Sequence, residues 1–304
     1  MKQILRITIG LTISCLIAGL VMGSVFTLTD KAKKRNEHKN VQDTMLGLLG
    51  YSKAHPAPSN LKLYTIYRYI VEEGEEKYLG YMTPLERGKE EGYALLLITL
   101  DGKFVNKYSL EISPEEALQE HNRETALKAV LKPPKRFSYE DSTIIVKLGK
   151  KRIAYLLPGS FPGYKTLIRV MLALDPSYKI LGLEIMEQEE DPGLGAEIKE
   201  DYFKNQFKGK TFEKVKELKV IREPLPEEYR RYLERKKGDK GVFTKEQIAR
   251  IRSKYQDKDI YALTGATISS EAVTNGVKGM IKRFAYRVGI LDDVIAEQKV
   301  AVAF

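Results

Sequence analysis

Two short segments of this chain have compositions suited to holding a ligand rather than only joining elements. The first, Glu190-Asp191-Pro192-Gly193-Leu194-Gly195, sets two glycines around one leucine between an apolar strand-like run and a helical pattern. Glycines there let the backbone adopt positive φ or approach a flat ligand closely, and amides opening the next helix can donate to an anion. A plain glycine turn between strand and helix accounts for the same residues. The second is Thr264-Gly265-Ala266-Thr267-Ile268-Ser269-Ser270, where five of seven residues are hydroxylated or glycine, at the start of the last helix. Small side chains and free amides make a ready phosphate site. The alternative is a helix cap, with Ser269 or Ser270 as N-cap and Glu271 favouring the dipole. The segment is not a P-loop, because no Gly-Lys-Ser/Thr follows its glycine.

Composition limits what else the chain can use. Its 304 residues carry 51 Lys and Arg against 41 Asp and Glu, a formal charge of +10, with one Cys, three His and no Trp. One cysteine forms no intrachain disulfide. Cys15, His38, His55 and His121 are too few and too scattered for a zinc or iron–sulfur centre. A hydrophobic share of 43% with 30% charged residues reads as a folded chain. The basic residues of 222–259 are interleaved with acids, as on a solvated helical face, and no nucleic-acid recognition motif is present.

These segments need elements to position them. Ile7 to Thr29 is uncharged, and as a helix it spans about 35 Å against a hydrocarbon core of roughly 30 Å. With no A-x-A-like cleavage site after it, the run reads as a retained single anchor, residues 1–29. Lys2 and Arg6 precede it and Lys31, Lys33, Lys34 and Arg35 follow, so flanking charge is nearly balanced and mildly favours a cytoplasmic bulk. A juxtamembrane helix over 40–51 and a linker with His55-Pro56-Ala57-Pro58 complete residues 30–60.

From residue 61 the pattern is α+β, a mostly antiparallel sheet with flanking helices. Strands are expected at 61–71, 92–100, 103–111, 142–148, 152–157, 166–174 and 179–187, with turns at Asp101-Gly102, Gly149-Lys150 and Asp175 to Tyr178. Ser113-Pro114-Glu115-Glu116 starts a helix running to about Leu131. Further helices are expected at 196–207, 226–237 and 245–255. The last, 270–288, lines Val273, Val277, Ile281 and Phe284 on one face. Gly92-Tyr93 and Gly163-Tyr164 both open apolar strands, as a faint internal repeat or as two similar hairpins. The soluble region thus divides into 61–158, a core of 159–289 with the charged insertion 222–259, and a tail, 290–304.

Together the two segments resemble the FMN-binding domain family, which includes the G subunit of the Rnf electron-transport complex and the C subunit of the Na⁺-translocating NADH:quinone oxidoreductase. T-G-A-T-I-S-S-E-A-V is similar to the family's flavinylation motif and E-D-P-G-L-G to its E-T-P-G-L-G loop. The intervening order also matches: Gly163-Tyr164, a strand ending in Asp175, Gly182, the glycine loop, Phe207, Gly209, then the threonine motif. Ile268 and the Ser-Ser-x-Ala-Val that follows resemble the Rnf G subunit more than its relative.

The resemblance implies an FMN phosphoester at Thr267, with Thr264 on the first Ser/Thr position and Gly265 and Ala266 between. It implies that Glu190, Gly193, Leu194 and Gly195 lie by the flavin, with Ser269 and helix amides at the phosphate. It further implies an electron carrier, rather than a complete enzyme, in a membrane complex that moves electrons between ferredoxin and NAD⁺ coupled to Na⁺ or H⁺. Other Rnf-type subunits and a flavin transferase are the implied partners. The soluble domain would lie outside the cytoplasm on a single-pass inner-membrane anchor. A free-standing flavoprotein reductase and a non-redox envelope binding module are the competing readings. Departures from the pattern are Tyr261 where the transferase usually meets Asp (the nearest acid being Asp259), Asp191 in place of Thr, and Lys165-Thr166 in place of a glycine.

Overall fold

A computed structural model describes residues 2–87, 90–235 and 243–304. The chain divides into an N-terminal unit, Met1–Gly47, and a second unit, Leu48–Phe304. The first is built on α1 (Lys2–Leu48). Within it Gln3–Phe26, with mean hydropathy 2.2, is long and apolar enough to cross a membrane. Its hydroxyls turn back on their own helix: Thr8 donates to the Ile4 carbonyl at 2.9 Å and Ser24 to that of Leu20 at 2.8 Å. Such bonds satisfy polar groups where no water is available. The anchor and the helix expected over 40–51 are one continuous element. Residues 30–39 hold neither Gly nor Pro, so nothing in the backbone interrupts it.

The second unit is organised by one antiparallel sheet. Its strands are β1 (Leu61–Glu73), β2 (Glu76–Arg87), β3 (Glu90–Thr99), β4 (Phe104–Leu110), β5 (Arg136–Leu148), β6 (Lys151–Pro162), β7 (Leu167–Leu174) and β8 (Ile180–Glu187). Among the described residues the spatial order is β4-β3-β2-β1-β5-β6-β7-β8. Residues on both sides of position 159 therefore share a continuous sheet. β2 is not among the expected strands, and it holds Gly80 and Pro84, two residues that strand interiors disfavour. Both are accommodated: Gly80 sits where a Cβ would lie 3.1 Å from Val71. Pro84 follows the last β1 partner, Met82, and its carbonyl accepts from Ala303 of the tail at 3.0 Å.

α2 (Pro114–Ala117) and α3 (Glu120–Val130) carry the chain from β4 back to β5. The expected start signal forms a capping box between Ser113 and Glu116. The single helix expected there is broken at 118–119, where Arg123 donates to the freed carbonyls of Ala117 (2.8 Å) and Leu118 (3.1 Å). Strand alternation gives the sheet two apolar faces. Tyr67, Tyr69, Val71, Leu95 and Leu97 pack under α2 and α3, while Ile66, Leu96, Ile98, Leu157 and Leu172 face the larger core.

Beyond β8 come a 3₁₀ turn (Gly195–Lys199), α4 (Asp201–Lys204), α5 (Phe212–Glu217), β9 (Val220–Ile221), α6 (Glu227–Glu234), α7 (Lys245–Tyr255), β10 (Ile260–Tyr261) and α8 (Thr267–Glu297). The helix expected over 196–207 is thus a 3₁₀ turn and a short helix with Glu200 extended between them. α8 begins earlier and runs further than expected. Val273, Val277, Ile281 and Phe284 are buried on the sheet as their spacing requires. Arg287 of α8 donates to Asp141 of β5 at 2.8 Å, and Arg152 of β6 donates to Asp292 at 2.9 Å. These ties fix α8 along the sheet.

Candidate functional site

Three segments converge at the start of α8: the turn after β6, the loop after β8, and residues 263–270. Glu190, 4% exposed, is the residue they share. Its Oε1 accepts the backbone amides of Tyr164 at 2.9 Å and Lys165 at 3.2 Å. Its Oε2 accepts the hydroxyl of Ser269, 79 residues away in sequence. A buried carboxyl requires such partners, since burial without them is strongly unfavourable.

The glycines divide by role. Gly193 has φ +74°, with nothing within 4 Å of the position a Cβ would take, so its requirement is conformational. A Cβ at Gly195 would lie 2.6 Å from Ser269 Oγ and 2.9 Å from Glu190 Oε2, so its requirement is close approach. At Gly163 a Cβ would collide with Glu190 Oε1. Gly265, at φ +75°, has the Leu194 side chain 3.0 Å from its Cβ position, which brings loop and threonine segment into contact a second time.

The first turn of α8 is phased by its serines. No side chain caps the helix, and Ala266 occupies the N-cap, so neither Ser269 nor Ser270 serves that role. Both are buried. The Ser270 hydroxyl accepts from the Leu263 amide at 3.0 Å and donates to the Ala266 carbonyl at 2.9 Å. Thr264 and Gly265 are exposed, Ala266 is buried and Thr267 is half-buried. Among the described residues the hydroxyls of Thr264 and Thr267 have no hydrogen-bond partner. Amides of the first helical turn lack intrahelical acceptors and carry the positive end of the dipole. Leu194 (44% exposed) and Ile268 (58% exposed) add apolar surface at the rim. A hydroxyl able to form an ester, amides for phosphate charge and an apolar lip for a flat ring suit a flavin phosphate.

Two of the sequence departures meet each other. Lys165 Nζ lies 2.5 Å from Asp191 Oδ1, so the added negative charge of the loop is balanced by the added lysine. The Asp191 carboxylate in turn holds the Lys165 ammonium above its usual pKa. The other departure is structural: Tyr261 is buried, and Gln206 grips its backbone by accepting its amide at 2.8 Å and donating to its carbonyl at 3.2 Å. Asp259 is engaged by Lys214 Nζ at 2.8 Å. Sequence reading found the glycine loop and the threonine segment but not the Glu190–Ser269 link, nor the Tyr164 and Lys165 amides. Gly163 and Gly195 were its only signals.

The FMN-binding domain family matches residues 163–282. The G subunit of the proton-translocating ferredoxin:NAD(+) oxidoreductase complex of Clostridium ljungdahlii is 33% identical over 135 residues, 44% of this chain and 55% of that protein. The chain thus spans about half the length of that relative. Among solved structures, NqrC of Shewanella oneidensis aligns at 20% identity with TM-score 0.37, over 61% of this chain and 76% of its own. The C subunit of the Na(+)-translocating NADH-quinone reductase of Parabacteroides distasonis aligns at 18% identity with TM-score 0.32, over 65% and 75%.

Proposed function

We propose, from the match of residues 163–282 to the FMN-binding domain family, that the chain is a membrane-anchored electron carrier with FMN esterified to Thr267. The observation that carries the reading is the meeting of two distant segments. Leu194 lies against Gly265 and Glu190 against Ser269, beside a threonine whose hydroxyl has no hydrogen-bond partner among the described residues. When bound, FMN supplies the redox chemistry. The residues around it hold and orient: Thr267 provides the ester oxygen, the first amides of α8 face the phosphate charge, and Leu194 and Ile268 border the ring. Gly193, Gly195, Gly265 and Ala266 leave room, and Thr264 lies at the exposed edge of the segment.

The similarity to the G subunit of a ferredoxin:NAD(+) oxidoreductase complex supports a place in an ion-translocating complex of Rnf type, with other subunits of that complex as partners and a flavin transferase for maturation. The apolar helix Gln3–Phe26 supports a single-pass anchor in the cytoplasmic membrane. The extracytoplasmic placement of the second unit rests on the family resemblance, because flanking charges are nearly balanced. No side-chain acid, base or nucleophile is demanded of such a carrier.

The test is intact mass and in-gel fluorescence of the full chain coexpressed with a flavin transferase. Flavin should survive denaturation, adding the mass of FMN less water, and Thr267→Ala should carry none. Covalent flavin on that variant would overturn the assignment. Reduction by NADH should be slow without partner subunits, and rapid direct reduction would instead indicate a free-standing reductase.

A further inference from the structure

We propose that Glu190 is the positioning residue for flavin attachment, acting through Ser269 to aim Thr267; this rests on the reading of Thr267 as the attachment point. The first turn of α8 needs a defined rotational phase if one threonine is to be presented. Helical residues are spaced about 100° apart, so a side chain two positions from Ser269 points roughly to the opposite side. Ser269, drawn inward by Glu190, therefore turns Thr267 away from the core side, half-buried at its edge. Ser270, drawn inward by the Leu263 amide, holds the same phase from the next position.

The surroundings indicate that this polar link is not merely cohesive. Ile198, Phe203, Phe207 and Val273 are all fully buried in the same core cluster. An apolar contact between loop and helix would cost less than a buried carboxyl, since replacing both partners of a buried polar pair by apolar groups is often neutral or stabilising. Instead the carboxyl collects three donors from two other segments, and Gly163 and Gly195 both lack the side chain that would displace it. Directional bonds of this kind fix angle as well as distance. Angle is what an attaching enzyme requires of an acceptor hydroxyl.

The experiment uses the full chain, expressed without transferase and then incubated with a flavin transferase and its flavin donor, with initial incorporation rates followed by in-gel fluorescence. Ser269→Ala removes the link and leaves Glu190 its two backbone donors. Glu190→Gln keeps an acceptor for Tyr164 and Lys165 but puts an amide donor where the carboxylate oxygen accepts from Ser269, so the charge-assisted bond is lost. Each should lower the transferase kcat about tenfold or more through misaim, with KM for the chain unchanged. The double variant should fall no further than the worse single, because one link is being removed. Unchanged kcat, a rise in KM alone, or losses that multiply in the double variant would each overturn the proposal. Should Glu190→Gln fail to fold, Ser269→Ala carries the test on its own kcat and KM. Thr267→Ala separates the two readings. Flavin on that variant defeats the attachment assignment, whereas a blank Thr267→Ala beside wild-type rates in Ser269→Ala defeats only the positioning role.

Discussion

The two glycines of the loop should respond differently to substitution, and the difference can be worked from their surroundings. In Gly195→Ala the new methyl would lie 2.6 Å from Ser269 Oγ and 2.9 Å from Glu190 Oε2. Ordinary contact requires a retreat of roughly 0.8 Å or more, enough to break the hydrogen bond between them. Losing a hydrogen bond to a charged group costs about 1.5–3 kcal/mol. The lower unfolded-state entropy of Ala returns about 0.4–1 kcal/mol, so the net loss is about 0.5–2.6 kcal/mol. For a folded unit of this size that corresponds to a Tm lower by roughly 1–10 °C. In Gly193→Asn nothing within 4 Å obstructs the side chain and only φ +74° opposes it. The left-handed region costs an ordinary residue about 1–2 kcal/mol, and Asn visits it most readily, so Tm should move little. Thermal melts of the full chain in detergent by circular dichroism, with covalent flavin yield measured beside them, give the comparison. Gly195→Ala should lose both stability and yield, while Gly193→Asn keeps both. A Gly195→Ala chain that melts with the wild type while Gly193→Asn melts well below it would refute the division of roles.

Three further outcomes are expected. Gly276→Ala should destabilise, because its methyl would lie within 2.6 Å of Phe161 ring carbons, and overpacking of about 1–3 kcal/mol outweighs about 1 kcal/mol of helix propensity; a raised Tm would contradict the packing of α8 on β6. Burial, with Lys214 beside it, pushes Lys210 down to about 8, below the ordinary value near 10.4. The unfolded chain then binds a proton that the folded chain lacks across that window, so wild-type stability should rise with pH from about 8 to about 10.4 relative to Lys210→Met. Equal pH slopes in urea unfolding would refute it. Lys165→Ala should shift the midpoint potential of the flavin-loaded chain to more negative values, since the Asp191 charge at 2.5 Å loses its partner; an unchanged or more positive midpoint in spectroelectrochemical titration would place that carboxylate out of reach of the flavin.

Much of the fold was legible because local pattern and tertiary demand agree. The spacing of Val273, Val277, Ile281 and Phe284 is the buried face of α8, and Ser113 with Glu116 forms the capping box its letters suggest. Elements went unseen where distant contacts override local signals. β2 tolerates Gly80 because a neighbouring strand fills the space, and Pro84 because the tail supplies its partner. The helix expected over 196–207 is divided because Glu200 is extended. The threonine segment and glycine loop stand out by composition. Their joining does not, because Glu190 and Ser269 are 79 positions apart and neither is unusual in its own surroundings.

The charged stretch before the threonine segment is where composition misled most. Residues 222–259 read as a solvated face, yet Tyr229, Leu233, Ile251 and Tyr255 are buried, and Tyr229 stacks on Tyr255 at 4.4 Å. Asn205 Nδ2 donates to the Leu233 carbonyl at 2.8 Å, and Lys210 Nζ donates to the carbonyls of Gln256 at 3.2 Å and Lys258 at 2.5 Å. The insertion is therefore tied to the elements that follow the glycine loop. It leads into the site through β10, which pairs in parallel with β9 and is gripped by Gln206. In this arrangement Asp259 is held by Lys214 and Tyr261, a buried phenol, has no carboxylate to give, so no free carboxylate comes from either position beside the threonine segment. An attaching enzyme would meet Thr264, Gly265 and Ile268 at the surface, with Thr267 half-buried among them. Under the proposed reading, attachment at Thr267 then depends on the orientation of that turn, which the Glu190–Ser269 link sets.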